Sequence, residues 1–149
     1  MIKLIRTDAK HKDFIALVGL LDADLSVRDG EDHGFYHQFN AIDTIKYAVV
    51  AYFGDSAVGC GAIKRFDEDT MEVKRMYTHL DSRGKGIASK IVAELEQWTK
   101  EMSVKKCVLE TGKKQPEAIQ LYEKMGYMRT PNYGQYVGVE NSICFEKIL

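Results

Sequence analysis

The sequence predicts an α/β protein, of the α+β kind, built on a mixed β-sheet with helices on both faces. Three observations predict it. Short alternating or wholly apolar runs read as strands, three segments repeat their apolar residues at helical spacing, and the two kinds of segment are interleaved along the chain. The predicted order is β-α-(α)-β-β-β-α-β-α-β-β.

Met1–Thr7 alternates as an opening strand. From Ala9 to Leu25 the set Phe14, Leu17, Val18, Leu21 and Leu25 recurs at helical spacing. Ser26–His33 is polar and acidic with Gly30, which predicts a loop, followed by a short helical turn through Tyr36 and Phe39. Tyr47–Phe53 is apolar on both faces and suits a central strand. Gly54–Asp55–Ser56 turns into a strand over Ala57–Arg65, and Asp67–Thr70 turns into another over Met71–Thr78. Ile87, Ile91, Leu95, Trp98 and Met102 then form one apolar helical stripe. Lys106–Glu110 reads as a strand. Gln115–Met125 reads as a helix opened by Pro116 and closed by Gly126. Asn141–Leu149 alternates as the last strand.

The 149 residues contain no linker, repeat or low-complexity tract, and they read as a single domain over 1–149. A chain of this size buries enough surface to need no disulfide or metal. Balance between 21 basic and 22 acidic side chains leaves no cationic excess for nucleic acid. No apolar run reaches the ~20 residues of a membrane span. Cys60, Cys107 and Cys144 lie apart in apolar stretches, without metal-ligand spacing or a secretory leader. They read as buried small hydrophobes in a reducing, cytoplasmic protein.

The informative segment is Arg83-Gly84-Lys85-Gly86-Ile87-Ala88, between a strand and the strongest helix. Two glycines allow close backbone approach, and the helix start presents free N–H groups and the positive end of a dipole. With Arg83 and Lys85 this makes an anion site suited to phosphate. Other phosphate motifs fail. Gly54 to Gly59 has P-loop spacing, but Cys60 and Gly61 stand where Lys and Ser/Thr are needed. Gly59-Cys60-Gly61 lacks the third glycine of a dinucleotide fingerprint, with Lys64 in its place.

At this point the sequence resembles the GCN5-related N-acetyltransferases, the GNAT superfamily. Their Arg/Gln-x-x-Gly-x-Gly/Ala signature is matched by Arg83, Gly86 and Ala88, and Glu72–Thr78 looks like the family's fourth strand. A second motif, Asn-x-x-Ala-x-x-Leu-Tyr followed by Gly-Tyr or Gly-Phe, is matched by Gln115, Ala118, Leu121, Tyr122, Gly126 and Tyr127. Gln115 replaces the usual Asn, and Leu80 stands where many members have proline. The resemblance covers essentially the whole chain. It implies a GNAT-type acyl-CoA N-acyltransferase fold, with acetyl-CoA as co-substrate and no metal.

The resemblance also implies roles. Met76, Tyr77 and Thr78 would meet the pantetheine, Arg83, Gly84, Lys85, Gly86, Ile87 and Ala88 the pyrophosphate, and Gln115 a further cofactor hydrogen bond. Tyr122 matches the family's general acid. A phenol of pKa ~10 donating to a thiolate of conjugate pKa ~8.5 is uphill by roughly 2 kcal/mol. Its helical register equally suits a core residue. Glu72, eleven residues before Arg83, is the candidate base, because an acceptor alkylammonium must lose its proton before it attacks. Other members use a different residue or a water chain. By analogy the candidates for the acceptor pocket are His33, Tyr36, His37, Tyr133 and Tyr136. The acidic Asp22, Asp24, Asp29, Glu31 and Asp32 would form either a solvated helix end or an attraction for a cationic amine.

The expectation is therefore transfer of acetyl from acetyl-CoA to a primary amine of a small molecule, by direct attack in a ternary complex. No nucleic acid or membrane is involved. Two alternatives stay open: acetylation of a protein lysine or N-terminal amine, and a catalytically weak acyl-CoA-binding module. Dimers are common in the family. The last strands with the Tyr133–Tyr136 loop would form a homodimer interface, although no surface pattern establishes one.

Overall fold

In the computed structural model, residues 1–29 and 45–149 are described. Seven strands form one sheet in the order β1-β2-β3-β4-β5-β7-β6. They are β1 (Ile2–Thr7), β2 (Tyr47–Phe53), β3 (Ser56–Asp67), β4 (Thr70–Thr78), β5 (Lys106–Gly112), β6 (Met128–Thr130) and β7 (Ser142–Ile148). The helices are α1 (Lys12–Asp29), α2 (Ile87–Glu101) and α3 (Pro116–Lys124). The mixed sheet with helices on both faces is the one the sequence predicts. The optional second helix, with His33, Tyr36 and His37, lies outside the described residues.

Helix α1 starts later and ends later than its apolar stripe indicates. At its start, the Asp8 carboxylate accepts the Lys10 N–H at 2.9 Å, holding the chain in a turn before the first helical residue. At its end, the loop expected from Ser26 is replaced by helix through Asp29, because nothing between Ser26 and Asp29 breaks a helix and the next glycine in the sequence is Gly30. Phe14, Leu17 and Val18 seat on Ala48, Val50, Cys60 and Ala62. The opposite face of the sheet carries α2, whose Ile87, Ile91, Val92 and Leu95 join Val49, Ala51, Ile63, Met71 and Val73. Strand β2 thus serves two cores with alternate residues, which explains its unbroken apolar run. All three cysteines are buried free thiols. Burial pushes Cys60 up to about 12 and Cys144 up to about 11, so both stay protonated thiols at neutral pH.

The glycines of Gly59-Cys60-Gly61 serve packing. A Cβ on Gly61 would stand 2.5 Å from Met76 Sδ and 2.8 Å from Ile91 Cγ2, and one on Gly59 would stand 3.0 Å from the Tyr77 carbonyl oxygen. Helix α2 approaches β3 this closely because both positions lack side chains.

Two irregularities shape the sheet. In the β3–β4 ladder Cys60 faces Tyr77 but Ala62 faces Lys74, so β4 holds one extra residue, a β-bulge. Arg75 within it has φ +61°, and its carbonyl accepts the Cys60 thiol at 3.4 Å. Next door, β4 and β5 run parallel, joined through the α2 crossover, and pair only at Thr70–Lys106, Met71–Cys107 and Glu72–Val108. Beyond Glu72 the two strands splay apart.

Gly61→Ala is expected to destabilise the fold by about 1–3 kcal/mol, through overpacking against the stiff branch of Ile91. The shift of the urea midpoint checks this, and an unchanged midpoint would mean that α2 has room to retreat from β3.

Candidate active site

The splay opens a cavity of about 580 Å³. One wall is β4 from Glu72 to Thr78, and the other is Glu110 and Thr111 of β5 with Ala118, Leu121 and Tyr122 of α3. Leu21, Asp24 and Leu25 of α1 close one side. At the far end stand Arg83, Gly84, Gly86, Ile87, Ala88 and Ser89. Beyond Glu72, the edge of β4 that faces β5 has lost its ladder partner, and a buried edge of this kind needs acceptors and donors from elsewhere.

At the glycine turn, Leu80–Ser82 forms a short 3-10 turn, with the His79 imidazole accepting the Asp81 N–H at 3.3 Å. Gly84 and Gly86 have φ +80° and +77°, in the left-handed region that glycine adopts freely. Gly86 caps α2, and no side chain caps that helix. The N–H groups of its first turn therefore point into the cavity end without an intrahelical partner. The Arg83 side chain folds back along the cavity wall onto the end of β4. Its Nε donates to the Thr78 carbonyl at 3.0 Å, its guanidinium lies 5.6 Å from the centre of the Tyr77 ring, and Nη2 is 3.9 Å from Asp24. Lys85 is exposed and outside the cavity wall. The anion-binding character of the turn thus falls on backbone N–H groups, where the sequence had suggested basic side chains.

At the other end, Glu72 is buried and held on both oxygens. Tyr133 donates to its Oε2 at 2.6 Å, and Lys74 Nζ lies 3.6 Å from its Oε1. Glu110 stands across the splay and accepts the Ser142 hydroxyl at 2.7 Å. Three phenols surround these carboxylates, all titrating well above the ordinary tyrosine value. Burial raises Tyr122 most, with Glu110 adding to it. Burial also raises Tyr133, followed by the charge of Glu72, and Tyr136, followed by Glu110 and Glu72. Each phenol remains an O–H donor throughout the physiological range. Burial pulls Lys74 down, partly opposed by Glu72.

The loop that carries Tyr133 and Tyr136 is tied by one side chain. Asn132 Nδ2 lies 3.1, 3.0 and 3.2 Å from the carbonyls of Tyr136, Val139 and Ser142. Tyr133 also meets Phe66 edge-on at 5.1 Å.

Of the sequence-predicted residues, Glu72, Met76, Tyr77, Thr78, Arg83, Gly84, Gly86, Ile87, Ala88, Gln115, Tyr122 and Tyr136 line the cavity, and Tyr133 reaches it through Glu72. Of the expected acidic patch, Asp22 and Asp24 face Arg75 and Arg83, while the Asp29 side chain, Glu31 and Asp32 lie outside the described residues. Sequence reasoning missed Lys74, Arg75, Ser89, Glu110, Asn132 and Ser142. The available signal was charge inside strands otherwise buried on both faces, at Lys74-Arg75 and at Glu110.

A model of the acetyltransferase (GNAT) family matches residues 14–127. The chain belongs to that family. Among curated relatives, the uncharacterized N-acetyltransferase YjgM of Escherichia coli is 39% identical over 84 residues, 54% of this chain and 50% of YjgM. This GNAT chain thus spans about half the length of that relative. A crystal structure of a Klebsiella pneumoniae protein, described as an acyl-CoA N-acyltransferase, superposes with TM-score 0.84 at 30% identity, covering 100% of this chain and 98% of that one. A GNAT acetyltransferase from Elizabethkingia anophelis, solved with acetyl-CoA bound, shares the fold at TM-score 0.72 and 18% identity, over 99% and 98% of the two chains.

Asn132→Ala removes the tie from three carbonyls and is expected to cost about 1–3 kcal/mol of stability in chemical denaturation. Unaltered stability would show that the loop is held by its aromatic contacts alone.

Proposed function

We propose that this GNAT protein transfers the acetyl group of acetyl-CoA to a primary amine of a small molecule, by direct attack in a ternary complex. One observation carries the reading. A strand edge without a partner, an uncapped helix start and a carboxylate–phenol cluster all open into one cavity. Those features suit the pantetheine amides, the pyrophosphate and the reacting groups in turn. Bound there, acetyl-CoA supplies an acetyl thioester with a thiolate leaving group.

The residues of this chain would divide the work. Backbone groups of Met76 and Thr78 pair with amides, the N–H groups from Gly84 to Ala88 hold phosphate oxygens, and Gln115, at the start of α3, lines the same cavity. Glu72 takes the ammonium proton of the acceptor, with Tyr133 and Lys74 fixing the carboxylate. Tyr122 presents its O–H to the leaving sulfur. Buried Cys60, Cys107 and Cys144 are removed from the cavity wall, which favours direct attack over an acyl-cysteine route.

Thiol release from acetyl-CoA, screened across small amines, peptides and proteins, tests the reading. Turnover with small amines supports it, turnover with peptides alone would move the acceptor to a protein, and acetyl-CoA binding without turnover would favour a binding module.

Tyr122→Phe should lower kcat on the order of 10²-fold with acetyl-CoA affinity preserved. Because burial and Glu110 raise the phenol, its O–H form persists to higher pH, so the wild type should show no alkaline loss of kcat from Tyr122 below about pH 10. A pH–rate profile falling with an apparent pKa near 9 and abolished in Tyr122→Phe would contradict this.

Glu72→Gln should lose kcat/KM on the order of 10²-fold at neutral pH, with the deficit shrinking as the pH approaches the acceptor's own pKa of about 10, where free amine forms unaided. A deficit independent of pH would remove the base role.

A further inference from the structure

Arg75 is the feature of the cavity wall that the proposed chemistry leaves unused. Its side chain is only 2% exposed. Among the described residues its one acidic partner is Asp22, whose Oδ1 lies 3.8 Å from Nη1, too far for a hydrogen bond. Asp22 is itself one-third exposed, so solvent weakens that pairing. Nε and Nη2 are buried without any hydrogen-bond partner.

These two atoms are not an arbitrary pair. Nη1 lies on the side of the guanidinium nearer the stem, so Nε–H and Nη2–H form the opposite edge and point in parallel. That edge is the fork that receives the two oxygens of a carboxylate. An arginine whose Nη1 faces a distant carboxylate, with the Nε–Nη2 fork left over, is half of a bidentate ion pair.

The location matches. Arg75 lines the same cavity as Glu72 and Glu110, three positions along β4 from Glu72. Leu21 and Leu25, on either side of the Asp22 turn of α1, line it as well, as does Tyr136. The guanidinium lies 3.8 Å from Asp22 of α1, and Tyr136 lines the same cavity as Arg75. The bulge is the device that aims it. With φ +61°, Arg75 leaves the regular alternation of β4, and its carbonyl is fixed by the Cys60 thiol. Burial pulls its proton affinity down from the ordinary arginine value, as expected for a cation short of a counter-ion.

We infer that the acceptor is an amino acid, in the broad sense of an amine carrying a carboxylate, and that the Nε–Nη2 edge of Arg75 binds that carboxylate while the amine faces Glu72 and Glu110. The inference rests on the acetyltransferase reading and narrows its substrate from amines in general to amino carboxylates. It also gives the cavity opposite charges for the two ends of a zwitterion: carboxylates for the ammonium and a guanidinium for the acid.

The test is a steady-state thiol-release assay with α-amino acids and with ω-amino acids of two to six carbons, each set beside its carboxamide. In the wild type at least one acid should exceed its amide by at least about tenfold in kcat/KM, since the amide cannot fill the fork as an anion. In Arg75→Gln that ratio should fall toward one, chiefly through KM for the acid, with the acetyl-CoA dissociation constant unchanged within about twofold. Arg75→Lys, which keeps the charge but not the fork, should recover part of the preference. Amides equal to or better than acids in the wild type, turnover of no acid, or an undiminished ratio in a folded Arg75→Gln would each overturn the inference. The wild-type comparison stands even if both variants fail to fold. Titration of the wild type with acetyl-CoA separates the two levels. Absence of binding sinks the acetyltransferase reading and this inference with it, whereas binding with turnover confined to uncharged amines sinks this inference alone.

Discussion

The interaction on which the site depends is one that stops. Strands β4 and β5 pair in parallel for three positions and then separate after Glu72 and Val108. A sheet covered by helices cannot leave a strand edge unpaired without cost, because buried N–H and C=O groups need partners. Here the separation is held open by neighbours that are themselves well anchored. Strand β4 stays bound to β3 on its far side, β5 stays bound to β7 along its whole length, and α3 fills the lower part of the gap with Tyr122. The bulge at Arg75 adds a residue where the strand must bend away. Its left-handed backbone costs roughly 1 kcal/mol, small against the pairing on either side. The splay is thus a stable defect, and its unmet backbone groups define what can bind.

Charge is distributed according to that defect. The chain as a whole is nearly neutral, and its best-formed surface pair, Arg6 with Glu94 and Glu101, lies on the α2 flank away from the cavity. Inside the cavity the balance is local. Glu72 with Lys74, Glu110 with Ser142, and Arg75 with a distant Asp22 form a short row of unlike groups in a medium that screens them poorly. At the glycine turn the reverse holds. Arg83 braces the end of β4 and Lys85 points to solvent, leaving the anion site to peptide dipoles. Peptide N–H groups are fixed in place by Gly84 and Gly86, so they need no side-chain ordering when an anion arrives.

The parts of the molecule legible in the sequence are those governed by periodicity. Strand β2 is readable because both of its faces are buried, α2 because one stripe carries its whole core contact, and the glycine turn because glycine suits the two left-handed positions one and three residues after Arg83. What escaped were features set by register and tertiary approach. The bulge exists only relative to β3, so nothing in Lys74-Arg75-Met76 announces it. Glu110 follows Cys107, Val108 and Leu109 of a central strand and looks like a strand end until β7 and the Asn132-tied loop are placed over it. The end of α1 is hidden in the sequence because its last turn is polar, and polarity alone does not stop a helix.

The same burial that marks Tyr122 as a site residue also limits what it can do. An ordinary phenol gives its proton to a thiolate at a cost of roughly 2 kcal/mol. Tyr122 is raised above that reference by its apolar surroundings and by Glu110, so full transfer would cost more and would leave a phenolate next to a carboxylate. Donating a hydrogen bond avoids that charge altogether, and in a desolvated site such a bond strengthens as negative charge gathers on sulfur. The proton balance allows it. Amide formation from an ammonium and a thioester releases protons on the acceptor side, where Glu72 and its partners lie, and the departing thiolate needs only one of them. Tyr122 then steadies the leaving group while the proton it accepts originates from the amine, a division of labour that fits a chain with buried phenols grouped around two carboxylates.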